Sequence, residues 1–390
     1  MHSFEKAEYD SRVDRVRARM AQQGFDLLIT CNPANMNYLT GYDGWSFYTP
    51  QMVAVGLEEN EPICIVRGID RPGGFVTTHL SEENMLGYPD HYVQAEDIHP
   101  MDWIGSLLVE RGLGKGRVAI DMDAYYYSAR AHAALTAAMP NAAFTDAGNL
   151  VNWVRIVKSA KEIIYMREAA RLVELAMQAG IDAIEPGVRQ CDAVADIYNA
   201  QIRGTEAFGG EYTSIVPMLP TGVGTTTPHL TWNSEPFKKG EATILELAGA
   251  RMRYHCPMSR TVHLGPPPKR MVEIADIAVE ALNVAVDYIR PGVSCEDVHA
   301  AWNRVVSRHG IVKDSRMGYS IGLSYPPDWG EHTLSIRPGD TTMLLSGMTI
   351  HVMPGIWLDN WGIEISEGVL VTDTGSEKLC NLPQGLVIKN

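Results

Sequence analysis

A chain of 390 residues, 45% hydrophobic and 21% charged, has apolar material for more than one core, and two domains are expected. A formal net charge of −14, spread along the chain without an acidic tail, argues against nucleic acid and anionic membrane surfaces as partners, because both require a basic face. Six scattered cysteines without a CxxC pair, a charged start without a signal peptide, and no apolar run of the roughly 18 residues that cross a bilayer point to a cytoplasmic protein.

In chain order, residues 9–24 carry apolar positions at helical spacing and stop at Gly24. FDLLIT reads as a buried strand, followed by a loop through Asn35, Tyr38, Gly41, Gly44 and Trp45. MVAVGL, EPICIVR and RVAID (117–121) read as further strands, with helical segments around 101–112 and 126–138. Alternating strands and helices indicate an α/β domain. A boundary falls at about 150–158, since a long amphipathic helix begins at Ser159 with Glu162 at capping-box spacing.

The second half contains a weak internal repeat. Residues 172–204 lie on 277–309, matching Pro186-Gly187-Val188 with Pro291-Gly292-Val293, Asp192 with Asp297 and Arg203 with Arg308. Each copy reads as helix, Pro-Gly turn, helix, then strands. Such a repeat predicts pseudo-twofold symmetry and a cleft between the halves.

Several residues carry chemistry in this half. Glu246 lies in ATILELAGA, flanked by apolar residues in a strand pattern, where a carboxylate is costly unless paired or protonated. It reads either as one arm of a structural ion pair with Arg253 or Arg260, or as a partner or nucleophile for a cationic substrate. His229, in the Gly/Thr loop TGVGTTTPHL, is either a structural imidazole or a general base and acid that takes a proton from water and returns it to a leaving nitrogen. Glu364 falls in GIEIS, where strand alternation places Gly362, Glu364 and Ser366 on one face; an exposed strand glutamate is the alternative. Glu367 would face the opposite side. In SYPPDWGEH two prolines stiffen a loop bearing Tyr325, Asp328, Trp329, Glu331 and His332, whose rings could stack on a flat ligand or merely decorate a surface. No GxxxxGK[ST], GxSxG or HExxH occurs.

Taken in order, RIVKSAKEIIYMREAARL, the two PGV turns, PHLTWNSEPFKKGEATILELAGARMRYHCPMSRTV, GYSIGL, MPGIW and GIEISEGVLVTDTG resemble the creatinase/prolidase/methionine aminopeptidase family. The resemblance covers residues 155–375 well and the amino-terminal part more loosely. It implies an α/β amino-terminal domain over 1–154 and an α+β pita-bread catalytic domain with pseudo-twofold symmetry over 155–390. Metal-dependent members use Asp, Asp, His, Glu and Glu, and the matching positions here are Glu246, Pro257, Tyr319, Met353 and Ser366. One carboxylate cannot hold a catalytic ion that needs several fixed donors.

The resemblance therefore points to the metal-free branch typified by creatinase, with no metal and no cofactor. Within that branch GYSIGLSYPPDWGE and ILELAG are most similar to bacterial ectoine hydrolases. It implies His229, Glu246 and Glu364 as catalytic residues, with Glu364 where the aminopeptidases have an arginine. The stiff aromatic loop is expected to set Tyr325, Asp328 and Trp329 against the substrate, and the resemblance implies a homodimer in which Phe47 and Thr49 reach the partner's cleft. The implied reaction is metal-independent opening of the cyclic amidine of ectoine, a small zwitterion, to N-acetyl-2,4-diaminobutyrate. Creatinase-type amidine hydrolysis, Xaa-Pro dipeptide cleavage and a catalytically silent binding protein are the alternatives, in that order.

Overall fold

In the computed structural model, which describes residues 2–390, the chain divides into one unit ending at Arg155 and a second over Ile156–Asn390. The first unit runs α1 (Lys6–Gln23), β1 (Leu27–Thr30), α2 (Pro33–Thr40), β2 (Met52–Gly56), β3 (Ile63–Arg67) and α3 (Arg71–Thr77). It continues with β4 (Met85–Tyr88), α4 (Pro100–Glu110), β5 (Lys115–Ile120), α5 (Ala129–Ala138), β6 (Asn141–Asp146) and α6 (Leu150–Arg155). The strands form one mixed sheet in the order β4-β3-β2-β1-β5-β6. Leu27, Ile29, Met52, Ile65, Val118 and Ile120 from its central strands share a core with Ile104 and Leu108 of α4 and Leu135 of α5.

The stretch predicted as a loop through Asn35 and Tyr38 is instead α2. The Asn32 side chain accepts the Ala34 and Asn35 N–H groups, Pro33 presets the first turn, and Gly41 closes the helix at a φ of 83°.

The second unit runs α7 (Ala160–Ala183), α8 (Gln190–Arg203), β7 (Ala242–Arg251), β8 (Tyr254–Leu264), α9 (Lys269–Tyr288) and α10 (Cys295–Val306). It ends with β9 (Gly318–Tyr325), β10 (Asp328–Ser335), β11 (Thr349–Val352), β12 (Ile356–Trp357), β13 (Gly362–Ile363), β14 (Glu367–Val371), β15 (Ser376–Lys378) and β16 (Val387–Lys389). The large sheet follows β15-β14-β11-β9-β8-β16, with β7 paired to β8 and β10 paired to β9. At the start of α7, Ser159 and Glu162 form the predicted capping box.

The internal repeat is visible as duplicated hydrogen bonding. In the first copy the Gly187 N–H donates to the Phe237 carbonyl at 3.0 Å, and Phe237 N–H returns to Val188 at 2.9 Å. In the second, Gly292 N–H donates to Leu344 at 2.9 Å, and Leu344 N–H returns to Val293 at 2.8 Å. Both turn glycines hold a positive φ, 92° and 83°, which explains why Pro-Gly recurs at the same place. Each helix pair then leads into an antiparallel hairpin, β7–β8 and β9–β10.

Two expectations need correction. The SYPPDWGEH segment is no extended loop: Tyr325 pairs with Asp328 across the tip of the β9–β10 hairpin, and Trp329, Glu331 and His332 lie within β10. Glu364 is outside any strand, because β13 stops at Ile363 and β14 starts at Glu367.

Helix α7 lies hard against β7 at Gly249, where a Cβ would collide with the Ala169 carbonyl oxygen and meet the Val173 nitrogen at 2.6 Å. Backbone cannot yield as a side-chain end can. Gly249→Ala is expected to destabilise this unit by about 3 kcal/mol, lowering the melting midpoint by roughly 6–10 °C. An unchanged midpoint by calorimetry would show that the helix can back away. Among the described residues no helix is long and apolar enough to cross a membrane.

Candidate active site

Strand β7 alternates. Leu245 and Gly249 face α7, so Glu246 is turned to the other face of the sheet, in register with Ser259 of β8. The segment after β13 is laid over that same face by a pair of bonds to Thr261. Its hydroxyl donates to the Glu364 carbonyl and accepts the Glu364 N–H, both at 2.9 Å. Two residues on, the Ser366 hydroxyl accepts the Ser259 N–H at 2.7 Å. These bonds do for Glu364 what strand pairing was expected to do.

The loop that carries His229 touches both carboxylate-bearing segments. Met218 and Glu246 exchange two backbone hydrogen bonds of 3.1 Å, and Leu219 N–H reaches the carbonyl of Leu230, the neighbour of His229. On the other side the Thr225 hydroxyl accepts the Gly362 N–H at 3.3 Å, and a Cβ on Gly362 would strike the Thr225 carbonyl oxygen. His229 itself is exposed.

Both carboxylates are buried, Glu246 at 5% and Glu364 at 0% exposure. Neither oxygen of Glu364 completes a hydrogen bond, although the Ser259 hydroxyl lies near. Burial pushes Glu364 up to about 7, against the opposing pull of the Lys313 ammonium and that hydroxyl. Burial, the Glu364 charge and then the Asp328 charge raise Glu246 well above the usual carboxylate range. The arginines considered as structural partners are engaged elsewhere: Arg260 with Glu367 at 2.8 Å, both 1% exposed, and Arg253 with Glu211 at 3.8 Å. The site thus holds two carboxylates that repel each other in a low-dielectric pocket, an arrangement that a cation relieves.

At the positions matching the family's metal ligands other than Glu246, carboxylate and imidazole donors are absent, and the hydroxyls that stand there are already used. Pro257 has none. The Tyr319 hydroxyl accepts the Trp329 indole N–H at 2.8 Å and lies 3.1 Å from His351 Nδ1. The Ser366 hydroxyl is taken by Ser259 N–H and by His351 Nε2 at 2.7 Å. His351 is fully buried, and burial followed by the nearby Arg316 charge lowers it to about 3, so the imidazole is neutral. No cluster of three or more His, Cys, Asp or Glu side chains suited to an ion occurs among the described residues. This donor set does not fit a two-metal centre.

Trp329 is buried and joins the site through Tyr319. Asp328 is raised by burial but held below its ordinary value overall by His332 Nε2, at 2.8 Å, and by the Gly330 N–H. Tyr325 is buried, with the Arg253 guanidinium 5.6 Å from its ring centre. Glu331 forms a buried 2.6 Å ion pair with Lys158 that pins the hairpin. Phe47 and Thr49 lie in the amino-terminal unit, Phe47 against Trp45 and Tyr126, and Thr49 donating to the Ser46 carbonyl. Sequence reasoning missed His351, Ser259, Lys313 and Trp357. His351 stands in an apolar strand, the same signal that marked Glu246, and could have been found that way.

A two-unit chain with this repeat and this sheet matches two family profiles: Creatinase/Prolidase N-terminal domain over residues 12–157, and Metallopeptidase family M24 over 164–373. The chain belongs to metallopeptidase family M24. It is 44% identical to the ectoine hydrolase of Halomonas elongata, over 99% of this chain and 98% of that one. A creatinase from a Bacillus species is 23% identical across 98% of this chain and 93% of its own. Among solved structures, a prolidase from Thermococcus sibiricus superposes with a TM-score of 0.83 at 20% identity, covering 97% of this chain and 99% of that one, which speaks for the fold alone.

Proposed function

We propose that this chain hydrolyses ectoine, opening its cyclic amidine to N-acetyl-2,4-diaminobutyrate without a metal ion. The observation that carries the reading is Glu364, wholly buried with both carboxylate oxygens unpartnered beside a second buried carboxylate. A planar amidinium offers two N–H donors and a delocalised positive charge, and charge-assisted bonds to Glu246 and Glu364 would offset one negative charge and relieve the repulsion between the two groups. Full-length similarity to the Halomonas elongata enzyme supports the choice of substrate.

The amidinium carbon is electrophilic without a Lewis acid. Water adds to it and the tetrahedral carbon then releases one ring nitrogen; if the Glu246 carboxylate adds first, water must add to the same carbon in a second step and Glu246 leaves as the free carboxylate. His229, on the loop braced against both acidic segments, takes the water proton and returns it to the departing nitrogen. Tyr325, Asp328 and Trp329 of the β9–β10 hairpin shape the wall on which the flat ring lies. We further propose a homodimer in which the loop bearing Phe47 and Thr49 meets the partner. The 56% and 64% exposure of Trp45 and Tyr48 on that loop supports this assembly. We place the protein in the cytoplasm, in keeping with six free thiols.

Purified protein stripped with a chelator should open ectoine at the untreated rate, with N-acetyl-2,4-diaminobutyrate followed by mass spectrometry. Loss of turnover that manganese or zinc restores would instead establish a metallopeptidase-type centre. No turnover of any amidine by folded protein would leave a silent binding module.

A further inference from the structure

We infer that Lys313 and the indole N–H of Trp357 form a carboxylate subsite beside the acidic pair, so that the enzyme selects amidines bearing a carboxylate over the bare ring. This inference rests on the proposed amidine hydrolysis and names the part of the site that reads the substrate's negative end.

Lys313 lies between α10 and β9. Its Nζ donates to the Gly355 carbonyl at 2.9 Å and sits 4.3 Å from the centre of the Trp357 ring. An ammonium has three donors, and one carbonyl bond together with a ring face does not exhaust them. No carboxylate pairs with it within 4.0 Å among the described residues, yet its charge is felt at Glu364. Burial draws Lys313 down to about 8, against the pull of Glu364, so it remains largely charged at neutral pH.

Trp357 supplies an independent observation. Its Nε1 is buried and has no hydrogen-bond partner. A buried indole N–H is ordinarily satisfied, and an orphan one asks for an acceptor. Its position is fixed by Gly362, where a Cβ would come within 2.8 Å of Trp357 Cδ1, the ring atom next to Nε1. That edge of the indole is therefore near Gly362, two residues before Glu364. Arg316, a second cation in this segment, lies 4.4 Å from the centre of the Tyr319 ring and donates to the Ser335 hydroxyl at 3.3 Å. Two acceptors for a cation and two donors for an anion thus lie side by side, which is the complement of a compact zwitterion. Neither Lys313 nor Trp357 has a comparable use in ring opening.

The test compares ectoine with 2-methyl-1,4,5,6-tetrahydropyrimidine, the same ring without its carboxylate. In the wild-type protein kcat/KM should favour ectoine strongly. In Lys313→Met the ratio of the two kcat/KM values should fall about 30- to 100-fold, through KM for ectoine and not through kcat. Trp357→Phe should reduce the ratio by about tenfold, and Lys313→Arg should retain most of it. If Lys313→Met does not fold, as judged by circular dichroism, the other two variants decide on the same ratio. An unchanged ratio, or equal loss on both substrates, overturns the inference while leaving ring opening intact. Folded wild-type protein that opens neither ring removes the underlying reading, and the subsite with it.

Discussion

Replacing Glu364 with glutamine is expected to abolish ectoine turnover, by about a thousandfold or more in kcat/KM, while making the protein more stable at alkaline pH. The first effect follows from removing a buried charge that would face the amidinium. The second follows from linkage. In the unfolded chain the carboxyl ionises near its ordinary value of 4.5, whereas the folded protein holds the proton to about 7. Between those values the folded state binds the extra proton, so the group's contribution to stability declines as pH rises, and the penalty is complete above about 7. Glutamine does not ionise and escapes that penalty. Glu364→Gln should therefore exceed the wild type by up to about 2–3 kcal/mol at pH 8, with the difference closing as pH approaches the ordinary carboxyl range. Chemical denaturation at several pH values reads the gap directly. The same group predicts an acid limb in the wild-type kcat/KM profile near pH 7, because a protonated Glu364 no longer attracts the cation. A variant that keeps full activity, or is less stable at pH 8, would remove Glu364 from the site described.

Replacing His229 with alanine is expected to lower kcat for ectoine by about 10²- to 10⁴-fold, the usual range for losing a general acid–base group. KM should change little, since the acidic pair and the hairpin retain the ring. Because His229 is exposed, the melting midpoint should stay within about 1 °C of wild type, so the kinetic loss is not confounded by unfolding. Imidazole added to the variant should restore part of the rate. Undiminished kcat would mean that the proton is carried by another group or by water alone, and would leave Glu246 and Glu364 as the whole of the machinery.

Much of this arrangement was legible in the sequence because it depends on local pattern. A carboxylate within a run of aliphatic residues marked Glu246, and the strand there is buried from end to end apart from Arg251. The paired Pro-Gly-Val turns announced a duplicated frame. What escaped depends on contacts across long stretches of chain. Glu364 was expected on a strand face and is instead held by the Thr261 hydroxyl, 103 residues earlier. Helix α2 was passed over because it is only eight residues long, although the Asn32-Pro33 start and the Gly41 stop are both present. Strands β4 and β6, at the edges of the amino-terminal sheet, have mixed burial and no clean alternation of apolar residues to reveal them. Lys313 stands in a loop and Trp357 in the two-residue strand β12, neither with a local pattern to single it out, and only folding brings their donors together.

The hydroxyl-bearing residues at the positions that match the family's metal ligands are locked into their own bonding. Pro257→Asp alone would add an acid opposite Ala248, on the face that already carries Glu246, with no further donor released to complete a set of ligands. Tyr319 and Ser366 are tied into a lattice through His351 and Trp329, so replacing either breaks bonds before any new coordination is gained. Replacing Tyr319 or Ser366 alone is therefore expected to cost stability, which thermal denaturation of the single variants would read. Building a two-metal centre into this chain would require changing several of these positions together.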